Sequence, residues 1–299
     1  MVNLEPSQHA ALARLFSSGV LKELASRGES ALFTRLMVAS RIDRWLSPSE
    51  TVADAFEFAF RLLRSPQYRI EYVYKSAIAH KILLGKHSLS TSTMLSEFRV
   101  GSSKVDIAIL NGTAAAYEIK SERDTLGRLE GQLADYRGVF AKVNVVAGED
   151  HIDSILKTVP PDVGVIKLSS KYRLQVVREA ADDPSRTRPR QMFASLQTKE
   201  AVEVLRALNK LDDDLVRLPN TRIRCVLDEV FGGLDPVETH RAMVRVLKST
   251  RSKNAAKHFI LGLPASLQAV AVSTPLVRSS YQRLHRALST SLARCKNWS

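Results

Sequence analysis

Residues 104–120, KVDIAILNGTAAAYEIK, hold two β-prone runs on either side of Asn111-Gly112-Thr113. The pattern predicts a hairpin of strands Lys104–Leu110 and Ala114–Lys120. Side chains on facing strands share a face only when they sit opposite one another or at even offsets. A two-residue turn at Asn111-Gly112 would pair Leu110 with Thr113 and set Asp106 against Tyr117, on the opposite side from Glu118. A three-residue loop, Asn111–Thr113, pairs Leu110 with Ala114 and places Asp106 across from Glu118, and Gly112 permits the left-handed residue such loops use. Lys120, two residues beyond Glu118, then points to the same face, so two carboxylates and an ammonium converge on one patch.

Outward from the hairpin, Glu97–Val100 reads as a preceding strand, and Arg128–Phe140 returns to helical spacing with Leu129, Leu133, Tyr136 and Phe140 along one face. Lys142–Ala147 is an apolar run suited to a sheet interior. A short helix near His151–Thr158 and a fifth strand at Val163–Leu168 complete the core. A helix over Arg69–Gly85 precedes it, and the first 66 residues are helical, with one helix announced by a cap at Ser47-Pro48-Ser49-Glu50. Residues 179–192, polar and proline-containing, read as a linker, and helices follow near Thr198–Leu211, Thr221–Phe231, Pro236–Lys257 and Leu276–Leu292. The expected organisation is therefore an N-terminal helical extension (1–66), an α/β core (67–178) with a mixed five-stranded sheet flanked by helices, a linker (179–192) and a basic helical C-terminal region (193–299).

Composition narrows the function classes. The chain has 299 residues, 44% hydrophobic and 25% charged, as in ordinary soluble globular proteins, and no run approaches a membrane span. The N-terminus carries Glu5 and no long apolar block, so it does not read as a secretory signal. Cys225 and Cys295 are too few and too isolated for a zinc site, and they read as reduced thiols of a cytoplasmic protein. There is no phosphate-loop, G-x-S-x-G, CxxC-pair or HExxH motif. The net charge of +13 is concentrated: residues 185–299 hold 20 Lys/Arg and 9 Asp/Glu, a net of +11, whereas 1–66 and 67–184 are each at +1. A polyanion is the natural partner for that concentration, and Arg241, Arg245, Lys248, Arg251, Lys253 and Lys257 are its candidate phosphate contacts.

Facing carboxylates repel unless a cation sits between them. A hard ion such as Mg²⁺ or Mn²⁺ takes carboxylate oxygens, the Ile119 backbone carbonyl and water. Such an ion lowers the pKa of bound water and stabilises charge on a phosphate under attack, and a neighbouring lysine orients or deprotonates the water. The bland alternative is an ExK triplet of exposed strand residues, which arises by chance in many proteins.

Asp106, followed after a hairpin by Glu118-Ile119-Lys120, resembles the core signature of the PD-(D/E)XK, or restriction-endonuclease-like, nuclease superfamily. The likeness covers roughly residues 69–168, and Val105 stands where the motif's proline would be. The stretch EIKSERDTLGRL is similar to uncharacterised bacterial proteins with an EIKS motif. The resemblance implies a restriction-endonuclease-like fold and a metal-dependent nuclease, DNA favoured over RNA, with roles in phage defence, mobile elements or repair. It implies that Asp106 and Glu118 bind the metal and that Lys120 assists the water. Gln132 and Tyr136 form a Q-x-x-x-Y spacing similar to that of RecB-like exonucleases, which adds them to the candidate catalytic set. A further ligand is expected from the helix before the sheet, with Glu71 the best match, Glu97 its competitor and His80 less favoured. Arg99, Lys104 and Arg123 flank the patch as candidate phosphate contacts. Cutting both strands of a duplex calls for two active sites, which is compatible with a homodimer. The competing readings are a non-cutting nucleic-acid-binding protein with this fold and an interaction adaptor with a basic tail.

Overall fold

The hairpin forms in the three-residue register. In the computed structural model, which describes residues 3–85, 89–212, 215 and 218–298, Leu110 pairs with Ala114 and Asn111 with Thr113 around Gly112, whose φ of 72° is left-handed.

In chain order the helices α1 (Pro6–Leu15), α2 (Ser18–Arg27), α3 (Ala31–Ser40), α4 (Val52–Leu63) and α5 (Glu71–Ile78) come first, the last continuing as a π-helical turn, Ala79–Leu84. Then follow β1 (Thr93–Val100), β2 (Ser103–Asn111), β3 (Thr113–Lys120), α6 (Leu129–Arg137), β4 (Lys142–Ala147), α7 (Ile152–Thr158), β5 (Gly164–Leu168) and β6 (Leu174–Arg178). The remainder is α8 (Pro189–Ala194), α9 (Thr198–Ala207), α10 (Asn220–Gly232), α11 (Pro236–Thr250), α12 (Lys257–Leu261), α13 (Ala265–Ser273), α14 (Tyr281–Leu288) and α15 (Leu292–Cys295). These elements divide into two compact units, one of residues 81–253 and one that joins 1–80 to 254–299.

The first unit is α/β. Its open mixed sheet has the order β1-β2-β3-β4-β5-β6, antiparallel at β1–β2, β2–β3 and β5–β6 and parallel at β3–β4 and β4–β5. The sheet has six strands where five were expected. The sixth, LQVVR, is an edge strand with exposed Val176 and Val177, so it lacks the half-buried alternation that marks a strand in sequence. One face carries Ala114, Ala116, Val143, Val145 and Val165 into a core filled by Leu133, Tyr136 and Phe140 of α6 and by Met243 and Leu247 of α11. Phe193 and Phe231 join it with ring centroids 5.1 Å apart.

Residues 179–192 are not a free linker. Asp183 N–H donates to the Ala141 carbonyl at 3.1 Å and Arg188 N–H to Gly138 at 2.8 Å. Arg186 donates to Asp162 Oδ2 at 2.5 Å and to the Ala141 carbonyl at 2.8 Å. Proline and charge gave the segment a linker's composition, but its hydrogen bonds strap it to the end of α6 and the start of β4. The basic region is likewise split: residues 193–253 pack on the sheet unit and 254–299 belong to the helical unit.

In the helical unit, Thr51 caps α4 by accepting from Asp54 N–H, while Asp54 accepts from Thr51 N–H. The helix therefore starts later than the Ser47 cap that the sequence suggests, and Ser47–Glu50 form a turn closed by Ser47 N–H to Glu50 Oε2 at 2.5 Å. The C-terminal segment closes on this region through Val52 N–H to Thr290 and Leu292 N–H to Glu50, at 2.9 and 2.8 Å. Phe16, Phe33, Phe56, Phe60 and Tyr72 form its aromatic centre. Cys295 is buried there, with its thiol pushed up to about 11 by burial. Among the described residues no helix is long and apolar enough to cross a membrane.

Leu133 is fully enclosed between α6 and the sheet. Leu133→Ala is expected to cost about 2–5 kcal/mol in urea unfolding, with an unchanged m-value. On the opposite face of the sheet, burial and then the Glu179 charge push the Tyr117 phenol up to about 12. The native state thus holds a proton that the unfolded chain releases near the ordinary tyrosine value of about 10. Its contribution is whole below about pH 10 and is lost as the pH rises through about 12, so stability should fall over that window, less steeply in Tyr117→Phe.

Candidate active site at the β1–β3 edge of the sheet

The site begins where the ladder stops. β2 and β3 pair only as far as Ile107–Tyr117, which leaves Asp106 and Glu118 as the next facing positions. There Ile119 N–H donates to Asp106 Oδ2 at 2.7 Å instead of to a strand carbonyl. The carbonyl of a strand residue leaves on the same edge as its N–H, so Ile119 C=O also faces the gap beside Asp106.

β1 bends at the same level. Glu97 has φ 55°, left-handed for a side-chain-bearing residue in mid-strand. Ser96 pairs with Ile107 and Phe98 with Val105, and the Glu97–Asp106 step between them is unpaired. Leu95 and Phe98, and likewise Val105 and Ala108, all enter the same core, an odd spacing that a regular strand does not allow. Both strands thus change face at Glu97 and Asp106, and carboxylate oxygens of these two residues lie within 4.8 Å of each other. Lys104 Nζ donates to Glu97 Oε2 at 3.0 Å.

Glu118 and Lys120 are both buried. Lys120 Nζ donates to Glu118 Oε1 at 2.8 Å and to Gln132 Oε1 at 2.9 Å. Tyr136 OH lies 2.8 Å from Glu118 Oε2 and 2.9 Å from the Lys104 carbonyl, acceptors that share its single proton. Burial first, then the negative charges of Glu118 and Asp106, push the Tyr136 phenol far up, while a hydrogen bond from Gln132 opposes them. Gln132 and Tyr136, one helical turn apart on α6, therefore both reach the Glu118–Lys120 pair.

An open cleft of about 930 Å³ adjoins this network. Glu97 and Lys104 line one wall and Arg128 and Gln132 the other, where Gly127 and Gly131 add no side chain of their own. The β1–β2 turn is fastened to the α6 wall, because Ser102 Oγ donates to Asp135 Oδ2 at 3.1 Å and a Cβ on Gly101 would meet Asp135 at 3.1 Å. Arg128 and Asp135 escaped the sequence reading. Arg128 stands four residues before Gln132 and eight before Tyr136, a helical stripe that could have identified it.

The structure thus brings together Asp106, Glu118, Lys120, Gln132 and Tyr136. Glu97, one of the two further acids, lies on the sheet beside Asp106. Glu71 opens α5 in the helical unit, with Lys75 Nζ 2.5 Å from its Oε1. His80 is half-buried in the π-helical turn. Arg99 and Arg123 are exposed, Arg99 on β1 and Arg123 in the loop after β3. Arg241 and Arg245 are exposed on α11, with Lys248 and Lys253 half-buried and Lys257 in the helical unit. Arg251 departs from its expected role: its guanidinium grips buried Glu200 at 2.6 and 2.7 Å and covers the Phe98 ring at 5.2 Å. A fork committed in this way holds the fold together and is not offered to a phosphate.

Residues 64–267 match the family model described as Bacteriophage P4 protein cII. Protein cII of Enterobacteria phage P4 is 29% identical over 208 residues, 67% of this chain. The alignment spans 66% of that relative's length, a little under two thirds. The SPO1766 protein of unknown function from Silicibacter pomeroyi aligns over 48% of this chain and 92% of its own, at 17% identity. The TM-score is 0.31. With the family model matching more than half of its length, the chain belongs to the bacteriophage P4 protein cII family.

Proposed function

We propose that this protein is a divalent-metal-dependent nuclease of the PD-(D/E)XK type, acting on DNA in preference to RNA. The reading is carried by one observation: Glu118, Lys120, Gln132 and Tyr136 form a connected polar cluster beside an open cleft, and Asp106 is held next to it by the Ile119 N–H. A sheet with the Asp and the ExK triplet on adjacent strands is compatible with a restriction-endonuclease-like core that carries one extra edge strand.

The donor set fits a hard cation. Glu118's two oxygens accept one hydrogen bond each, from Lys120 and Tyr136, and a carboxylate oxygen has two lone pairs, so each keeps acceptor capacity. With Asp106, the Ile119 carbonyl and Glu97 they make an all-oxygen set suited to Mg²⁺ or Mn²⁺. Such an ion, when bound, supplies a water of lowered pKa and positive charge at the scissile phosphate. The chain's own residues do the rest. Tyr136 and Gln132 hold Glu118 and Lys120 in place, and Lys120 sets an ammonium where phosphate charge grows. Lys104 and Arg128, on opposite walls of the cleft, supply positive charge for the flanking backbone.

A second reading, a fold that binds nucleic acid without cutting it, draws on the same contacts, because a buried Glu–Lys pair with both partners satisfied also serves structure alone. A plasmid-cleavage assay with Mg²⁺ or Mn²⁺ separates the two. The parent should cut and Asp106→Ala should lose at least about 100-fold in rate; equal rates, or no cutting of DNA or RNA by the parent, would rule out catalysis. Glu97 adds a sharper test. A left-handed non-glycine residue stores of order 1 kcal/mol of strain, so Glu97→Gly should keep or raise the melting temperature while slowing cleavage. Lower stability with full activity would remove Glu97 from the site.

A further inference from the structure

The helical unit holds a second charged feature, which the cleft does not use. Between Asn254 and Ser299 there are six Lys/Arg and no Asp/Glu. Residues 1–80 and 254–299 together carry a net of +8, against +5 for residues 81–253, so the helical unit is the more basic of the two despite its near-neutral N-terminal helices.

α14, YQRLHRAL, buries Leu284, Ala287 and Leu288 and exposes Gln282, Arg283, His285 and Arg286. Arg283 Nε donates to the Ala25 carbonyl at 3.2 Å, which fastens the helix to the C-terminal end of α2, where Arg27 is exposed. The acid on α2, Glu23, is turned to α3, where it accepts from Ser30 Oγ and Leu32 N–H. Arg278 precedes α14, and Arg294 and Lys296 follow it, all exposed. Among the described residues Arg278, Arg286, Arg294 and Lys296 have no ion-pair partner.

We propose that these exposed bases, Arg278, Arg286, Arg294 and Lys296, with Arg27 at the end of α2 to which α14 is fastened, are contacts for the phosphate backbone of duplex DNA. Charge complementarity selects the partner. Arg278 and Arg286 stand eight residues apart in sequence, roughly 13 Å along the helical axis, or about four base-pair steps along a duplex. A membrane would need an apolar face to insert, and apart from Val277 the large apolar side chains of 276–296 are buried or half-buried. A protein partner would be anchored by exposed aromatic or aliphatic groups, and single strands by several exposed rings for base stacking; the exposed side chains of α14 include no aliphatic group and, of rings, the His285 imidazole alone.

The test is fluorescence anisotropy of a labelled DNA duplex with the full chain, in EDTA so that binding is read without cleavage. A failure of the nuclease reading would leave this measurement untouched. The variant Arg278→Gln/Arg286→Gln/Lys296→Gln should bind at least about 10-fold more weakly, and its slope of log affinity against log salt should be shallower by about 2.7, at 0.9 per phosphate contact. Arg241→Gln/Arg245→Gln on α11 should change both less per charge removed. If the triple variant melts early, Arg286→Gln alone carries the test, with a slope change of about 0.9. Unchanged affinity and slope, an equal loss per charge in the α11 variant, or tighter binding to phosphatidylserine vesicles or duplex RNA than to duplex DNA would each overturn the assignment.

Discussion

Everything at the sheet's β1–β3 edge depends on keeping two opposite charges inside the protein. Removing a carboxylate and an ammonium from water costs several kcal/mol per ion unless geometry and further hydrogen bonds compensate. Glu118 and Lys120 meet that condition only through each other and through α6, since Tyr136 serves one carboxylate oxygen and Gln132 the ammonium. The helix must therefore lie at a fixed height over β3, and that height also sets the width of the cleft. The core beneath it, Leu129, Leu133 and Phe140 against Val143 and Val145, holds α6 there.

The interruption of β1 and β2 is the complementary constraint. A regular ladder would leave Glu97 and Asp106 in ordinary alternation and Ile119 N–H bonded to a strand carbonyl. Instead the backbone adopts a left-handed residue, and a side chain replaces the missing partner. Local strain of this kind persists only where the surroundings over-determine it. Here the flanking pairs Ser96–Ile107 and Phe98–Val105 pin both strands on either side.

Much of this was legible in the sequence. The odd-length loop at Gly112 fixed which side chains share a face, because strand periodicity leaves no freedom once the turn length is known. The spacing of Gln132 and Tyr136 fixed their common face on α6. What stayed hidden involves either long-range partners or local irregularity. Nothing in SEFRV announces that Glu97 will turn left-handed, since Glu has no preference for that conformation. The strap at 179–192 has a linker's composition because its function depends on where Arg186 and Arg188 land, not on hydrophobicity. Arg251 looked like one more base in a charged tail, because its partner Glu200 lies 51 positions away.

The chain's route has a consequence for its birth on the ribosome. The N-terminal helices are completed by residues 254–299, which follow the 173 residues of the sheet unit. At typical elongation rates of about 5–20 residues per second, the first eighty residues wait on the order of ten seconds or more for the segment that covers them. Over that interval Phe16, Phe56 and Phe60 lack the strands of backbone that Thr290 and Leu292 later bring to Val52 and Glu50. The sheet unit, contiguous in sequence, can close first, so vectorial synthesis imposes an order in which the middle of the chain folds before its beginning.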